Sequence, residues 1–114
     1  MDIVSTEGAD SREVVDGVHN SSLLAGERMN TLQFRIDPGS SVPMHDHPHE
    51  QVGYLLQGEV TVKLDGDERV LTAGDTYCIP GDESHSFENR GDEPAIGIDV
   101  FSPPRDLAPF ADDE

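Results

Sequence analysis

Four of the five histidines in this chain are His45, His47, His49 and His85, and three of them lie within Met44-His-Asp-His-Pro-His-Glu-Gln51. Imidazoles at this density point to metal ligation. His45 and His47 stand two apart, so on an extended segment both rings leave the same face and can meet one ion, which needs its nitrogens about 2.0–2.2 Å away. An HxH pair alone is a weak signal. It gains weight from a second cassette, Gly74-Asp-Thr-Tyr-Cys-Ile-Pro80 followed by His85 and Asn89, which can bring a third imidazole from another strand. Glu50 and Gln51 compete for the fourth position. Glu50 is chemically the better ligand, but only two residues separate it from His47 and alternation turns it to the other face. Gln51 shares the parity of His45 and His47, and its amide oxygen is the expected fourth donor. His49 has that parity too, but it follows Pro48 in an expected bend, where it is either a ligand or a ring facing the ligands or a substrate. His19, far upstream, reads as a surface residue.

Three neutral imidazoles and a neutral amide leave a divalent ion its full double charge, with positions open to water or substrate oxygens. That favours Lewis-acid chemistry. Oxygen-activating non-haem iron sites often include a carboxylate, which this set lacks. Nickel, zinc, manganese and iron all suit imidazole plus carbonyl oxygen, and the residues do not choose among them. A second group of reactive side chains closes the sequence Ala95-Ile-Gly-Ile-Asp-Val-Phe-Ser-Pro-Pro-Arg105. Alternation puts Ile96, Ile98 and Val100 on one face and Asp99 and Phe101 on the other. Arg105 follows the Ser-Pro-Pro turn, and its planar guanidinium is suited to clamping a carboxylate. On pattern alone the plainer reading is favoured: a solvent-facing Asp99, a core Phe101 and a surface Arg105.

These side chains must be positioned by strands. From Met29 onward short β segments are separated by Gly, Pro and Asp turns, with no 3.6-residue apolar period of helical length. The expected class is all-β, a sandwich or barrel. The clearest unit is Glu59-Val-Thr-Val-Lys-Leu-Asp-Gly-Asp-Glu-Arg-Val-Leu71, a hairpin in which Val60, Val62 and Leu64 alternate with polar residues and Asp65-Gly66 makes the turn. Further strands are expected over 31–36, 51–56, 76–79, 84–88 and 95–101, bounded by turns such as Pro38-Gly39, Pro80-Gly81 and Arg90-Gly91-Asp92. Residues 1–16 form an acidic arm or edge strand, 17–110 the barrel, and 111–114 a frayed end. Cys78, the single cysteine, lies in an apolar stretch and is expected to be a buried structural thiol.

The 114 residues carry 24 acids against 7 Lys and Arg, a formal charge of −17. Phosphate-rich partners are excluded, because nucleic acids and anionic bilayers are held by cations this surface lacks. No apolar run approaches the ~20 residues that span a bilayer, and no basic-then-apolar leader opens the chain, so a soluble cytoplasmic protein is expected. The acids are dispersed and Lys63 is the only lysine. Dispersed acid of this kind fits adaptation to strong salt, where self-repulsion is screened.

The two cassettes together resemble the cupin superfamily. Its first motif, Gly, five residues, HxH, three or four residues, Glu, six residues, Gly, is matched by Gly39, His45, His47, Gln51 and Gly58, with glutamine replacing the glutamate. Its second is matched by Gly74, Pro80, His85 and Asn89, with Asp82 where a glycine is expected. The 15 residues between Gly58 and Gly74 are the short spacer of small single-domain cupins. The resemblance implies a double-stranded β-helix, or jelly-roll barrel. Within that superfamily, HxHPHEQ, the second cassette and the terminal D-x-F-S-P-x-R resemble the small cupins of pectin and alginate breakdown that convert 4,5-unsaturated uronates to linear 5-keto-4-deoxyuronate. This likeness implies metal ligands His45, His47, Gln51 and His85, functional Asp99, Phe101 and Arg105, an anionic sugar substrate, and a homodimer made by pairing edge strands and swapping terminal segments. The family's downstream Arg, acid, Phe pattern is kept only loosely in Arg105-Asp-Leu-Ala-Pro-Phe110. Two other classes share the barrel: a metal-dependent dioxygenase, and a non-catalytic small-molecule binder.

Overall fold

The computed structural model describes residues 1–105, which form ten strands and, among the described residues, no helix. The strands are β1 (Arg12–Val15), β2 (Val18–Ala25), β3 (Asn30–Ile36), β4 (Ser41–His45), β5 (Glu50–Gln57), β6 (Glu59–Leu64), β7 (Asp67–Thr72), β8 (Thr76–Ile79), β9 (His85–Glu88) and β10 (Ala95–Ser102). One sheet runs β1-β2-β3-β10-β5-β8 and the other β4-β9-β6-β7, with every pairing antiparallel. The expected all-β class holds, and no helix of the described residues is long and apolar enough to cross a membrane. The end of the expected barrel at 110, the 111–114 tail and the Arg105-to-Phe110 pattern beyond Arg105 lie outside the described residues.

Between the sheets, Val18, Leu32, Phe34 and Ile36 from one wall meet Val60, Val62 and Phe87 from the other. Period-two alternation is visible along β3 and β5, where alternate residues are buried, as expected of half-buried strands. The β6–β7 hairpin has the register its sequence implies: Leu64 pairs with Asp67 across Asp65-Gly66, and Gly66 takes the positive φ (76°) that the tight turn requires. β1 joins the outer edge of the larger sheet, so part of the acidic arm is an edge strand.

Three features differ from expectation or were not anticipated. β2 and β4 are strands that weak alternation concealed, and β4 carries a register shift between Val42 and His45. Cys78 is exposed, which corrects the expectation of a buried thiol: β8 is the sheet edge, Ile79 takes the inward position, and alternation turns Cys78 out. His19 is half-buried and lies 3.1 Å from Asp37. On β10 the inward row is Ala95, Gly97, Asp99 and Phe101, while the isoleucines face outward. Gly97 is small by necessity, because a Cβ there would run into the Phe34 ring. β10 lies between β3 and β5 in the middle of the large sheet, so its inward acid is held in the barrel's interior.

Candidate metal centre

Antiparallel pairing of β4 with β9 sets His45 directly across from His85, their ring centroids 4.4 Å apart. His47 lies in the bend after β4, with its ring 5.6 Å from that of His45 and 5.1 Å from that of His85. One ring nitrogen from each of the three lies within 4.8 Å of the others. The tautomers follow from the backbone. Nδ1 of His45 is 2.8 Å from the Pro43 carbonyl, Nδ1 of His47 is 3.1 Å from that of His49, and Nδ1 of His85 is 2.7 Å from that of Glu83. A carbonyl oxygen only accepts, so each Nδ1 carries the hydrogen and each Nε2 keeps its lone pair. His85, 1% exposed, has its Nε2 buried without a hydrogen-bond partner.

Gln51 completes this donor set. It is 2% exposed on β5, and its Oε1 lies 3.2 Å from His47 Nε2. Two lone-pair acceptors face each other there, an arrangement that a shared cation relieves. Two donors at right angles, each about 2.1 Å from one ion, stand about 3.0 Å apart. Gln51 also hydrogen-bonds the Asp99 carboxylate, which takes its amide N–H and leaves the oxygen for the ion. Burial pushes His45 and His47 down to about 4, with the cationic neighbourhood of Arg105 adding to it, and burial lowers His85 as well. Neutral, lone-pair-bearing imidazoles are the form a metal requires. The residues present therefore fit a divalent ion. Glu50 is exposed on the opposite face of β5, 3.9 Å from Cys78 Sγ, and stands apart from the cluster. His49 is half-buried, its ring 5.4 Å from that of His47 and 6.5 Å from that of Phe101, and its position beside the cluster makes it a neighbour of the ligands.

Asp99, Phe101 and Arg105 line the same cavity as His45 and Gln51. Asp99 is 6% exposed and is the one buried carboxylate among the described residues, so the solvent-facing reading is corrected. Its β10 position between Leu32 of β3 and Gly53 of β5 turns it into the barrel. Burial pushes its pKa from 3.8 up to about 6, against hydrogen bonds from Tyr77 and Gln51 that favour the ionised form. Tyr77 Oη donates to Asp99 Oδ1 at 2.5 Å. Its phenol reaches that far because residue 53 is glycine: a Cβ at Gly53 would collide with the Tyr77 ring and hydroxyl. Burial and the neighbouring Asp99 charge raise the Tyr77 pKa well above its ordinary value, so it stays a donor.

Phe101, 2% exposed, sets its ring edge-on to His47 at 5.8 Å and takes the Arg105 guanidinium over its face, 5.2 Å from the ring centre. The Arg105 backbone is tied to the Asn30 side chain in both directions, N–H to Oδ1 at 2.8 Å and Nδ2 to the carbonyl at 3.1 Å. Arg105 is therefore anchored at the cavity, which corrects its reading as a plain surface residue. Tyr77 and Gly53 were missed by sequence reasoning. Tyr77 stood in the second cassette at the parity of Ile79, and that inward parity was its only signal.

Comparison with known proteins places this geometry. A family model for the cupin domain matches residues 32–101. The chain is 28% identical over 94 residues to the pectin degradation protein KdgF of Dickeya dadantii, covering 82% of this chain and 84% of that protein. It is 40% identical over 73 residues to the polyketide synthase protein CurC of Streptomyces cyaneus, covering 63% of this chain but only 46% of that relative, about half its length. Among solved structures, KdgF from a Halomonas species superposes with a TM-score of 0.85 at 27% identity, over 93% of this chain and 96% of that one. A polyketide cyclase, RemF of Streptomyces resistomycificus, has a TM-score of 0.82 at 20% identity over 96% and 90% of the two chains, a likeness of fold. Two antiparallel sheets, paired histidine cassettes and a family match over most of the barrel agree: this chain belongs to the cupin family.

Proposed function

We propose that this protein is a divalent-metal-dependent, non-redox enzyme that opens a 4,5-unsaturated uronate ring to the linear 5-keto-4-deoxyuronate. The observation that carries the reading is the buried Asp99, poised near pH 6 in one cavity with Arg105, Gln51 and His45, the last a member of the neutral three-histidine cluster. The similarity to two KdgF proteins, one named for pectin degradation, supports the substrate class. His45, His47, Gln51 and His85 would hold the ion; bound, it supplies Lewis acidity to the sugar's oxygens. Arg105 binds the carboxylate, with its guanidinium oriented by the Phe101 face and its backbone by Asn30. Phe101 packs on the ring and excludes water. Asp99 moves the proton that ring opening and tautomerisation require, and Tyr77 holds its Oδ1 in place.

The test is metal-reconstituted protein incubated with unsaturated uronate, following enol-ether absorbance with an oxygen electrode in parallel. Loss of absorbance without oxygen uptake, abolished in Asp99→Ala, is the expected result. Oxygen uptake would assign a dioxygenase, and binding without turnover would assign a non-catalytic cupin. The same reading takes the protein as a cytoplasmic homodimer. On the large sheet's outer face, Val52, Tyr54 and Leu56 are exposed, and Val100 and Ile98 pair beside Val52 and Tyr54. In a chain of −17, this apolar row, which carries a carboxylate only at its Glu50 end, is where two copies meet with least repulsion. Sedimentation at low and molar salt checks it, and a monomer at both refutes it.

A further inference from the structure

Three asparagines are buried in the described structure, and the side chains of two of them both donate and accept hydrogen bonds. Asn89 donates to the Ile36 and Glu93 carbonyls, both at 2.8 Å, and accepts from Gly91 N–H at 2.9 Å. Asn30 exchanges two hydrogen bonds with the Arg105 backbone. Asn20, 8% exposed, is different: among the described residues its carboxamide makes no hydrogen bond. It points inward from β2, paired with Phe34 of β3, in a wall otherwise made of Val18, Leu32 and Ile36. Its amide atoms are not sealed, so the carboxamide is open to whatever fills the cavity, and a ligand that covered it without a hydrogen bond would bear the cost of an unpaired amide. The wall it interrupts faces the cavity shared by Gln51, Asp99 and Arg105.

We infer that the Asn20 carboxamide reads the substrate, hydrogen-bonding a hydroxyl of a polyhydroxylated acid while Arg105 and the metal position meet its charge. As to substrate class, this rests on the function proposed above. An amide offers two donors and one acceptor, matching a hydroxyl, which both donates and accepts. A neutral reader adds no charge to a cavity that already holds Asp99. An apolar or aromatic ligand of similar size would leave Asn20 unpaired, so the residue selects against such ligands.

The experiment compares nickel-loaded wild type, Asn20→Leu and Asn20→Ala by calorimetric titration with two probes: galacturonate, and cyclohexanecarboxylate, which has the same charge and ring size but no hydroxyls. Wild type is expected to prefer galacturonate. Both variants should lose about tenfold in galacturonate affinity and change less than twofold towards cyclohexanecarboxylate. Two results overturn the inference: a galacturonate affinity unchanged in both variants, or wild type that binds neither probe. If Asn20→Leu does not fold, Asn20→Ala decides by the same titrations. Wild type that discriminates the probes through Asn20 yet does not open unsaturated uronate would remove the proposed reaction alone. Ring opening with discrimination unaffected at Asn20 would remove this inference alone.

Discussion

Replacing Asp99 by asparagine tests the physical state of the site without relying on turnover. Burial moves this carboxyl from 3.8 to about 6 even with Tyr77 and Gln51 hydrogen-bonded to it. A displacement of that size corresponds to about 3 kcal/mol. The sign follows from linkage: the folded protein holds this proton more tightly than the unfolded chain, so the stabilising contribution is complete below pH 3.8 and is lost as pH rises through 6. At pH 8 the fold therefore carries an ionised, buried carboxylate at that cost. Asparagine has the same shape, keeps an oxygen for Tyr77 and bears no charge. Asp99→Asn should thus be more stable than wild type at pH 8, by up to about 3 kcal/mol, and the advantage should shrink towards pH 4.

The assay is urea denaturation of both proteins in chelator across pH 4–8, with no cation to bias the carboxylate. His45 and His47 titrate in the opposite sense, because burial holds them near 4 and the unfolded chain binds their protons first, so their contribution is lost as pH falls from 6.5. Both proteins share that loss, and the difference between them isolates residue 99. An Asp99→Asn advantage that does not vary with pH, or none at all, would refute the reasoning. The same variant should lack ring-opening activity, as expected where a destabilising residue is kept for function.

Three further predictions follow from the same geometry. Nickel or zinc added to chelator-stripped protein should raise the melting temperature, with a gain of about 2.7 kcal/mol at a hundred times Kd, and His85→Ala should abolish the gain; an equal gain in the variant would displace His85 from the ligand set. Tyr77→Phe removes a hydrogen bond to a charged group, worth about 1.5–3 kcal/mol, so the acid limb of the rate profile should move up by about 1–2 pH units; an unmoved limb would sever Tyr77 from Asp99. Potassium chloride raised to molar concentration should stabilise the fold by screening its exposed acids, and equal melting at low and molar salt would end the halophilic reading.

Features set by local periodicity were legible from residues alone. Strand alternation named most of β3, β5, β8, β9 and β10, and the Asp-Gly turn settled the β6–β7 register. Parity also separated Gln51 from Glu50, since neighbours on a strand must face opposite ways. What depended on sheet order was not legible. Whether Asp99 faced water or the interior turned on β10 lying between β3 and β5, a pairing of segments far apart in sequence. Cys78 was misplaced for the same reason, because only the sheet order shows that β8 is an edge. Tyr77 acquires its role through two cross-strand relations, beneath Gly53 and against Asp99. At Asp82, where the family pattern expects glycine, the backbone takes a φ of 68° and its N–H bonds the His47 carbonyl at 2.7 Å. The turn that glycine would have signalled is present, made by one of the few other residues that tolerate it.

The glutamine that departs from the cupin pattern also bears on where the acid went. A carboxylate on the ion would be held ionised by it and would not take up a proton near neutral pH. With Gln51 in that place a bound divalent ion would keep its full charge, and the cavity's one carboxylate stands behind the glutamine, on Asp99, bonded to its amide and to Tyr77. There, burial sets its affinity for a proton near pH 6. Under the proposed function the substitution separates two tasks that a ligating glutamate would merge, polarising the substrate and moving its proton. It would also spare the proposed anionic substrate one fixed negative charge at the ion, in a protein whose other described carboxylates are exposed or half-buried. Long-range repulsion from that surface is screened by salt, whereas the contacts of Arg105 and the metal position act within a few ångströms. A strongly acidic surface and a cationic cavity are thus compatible because they act over different distances.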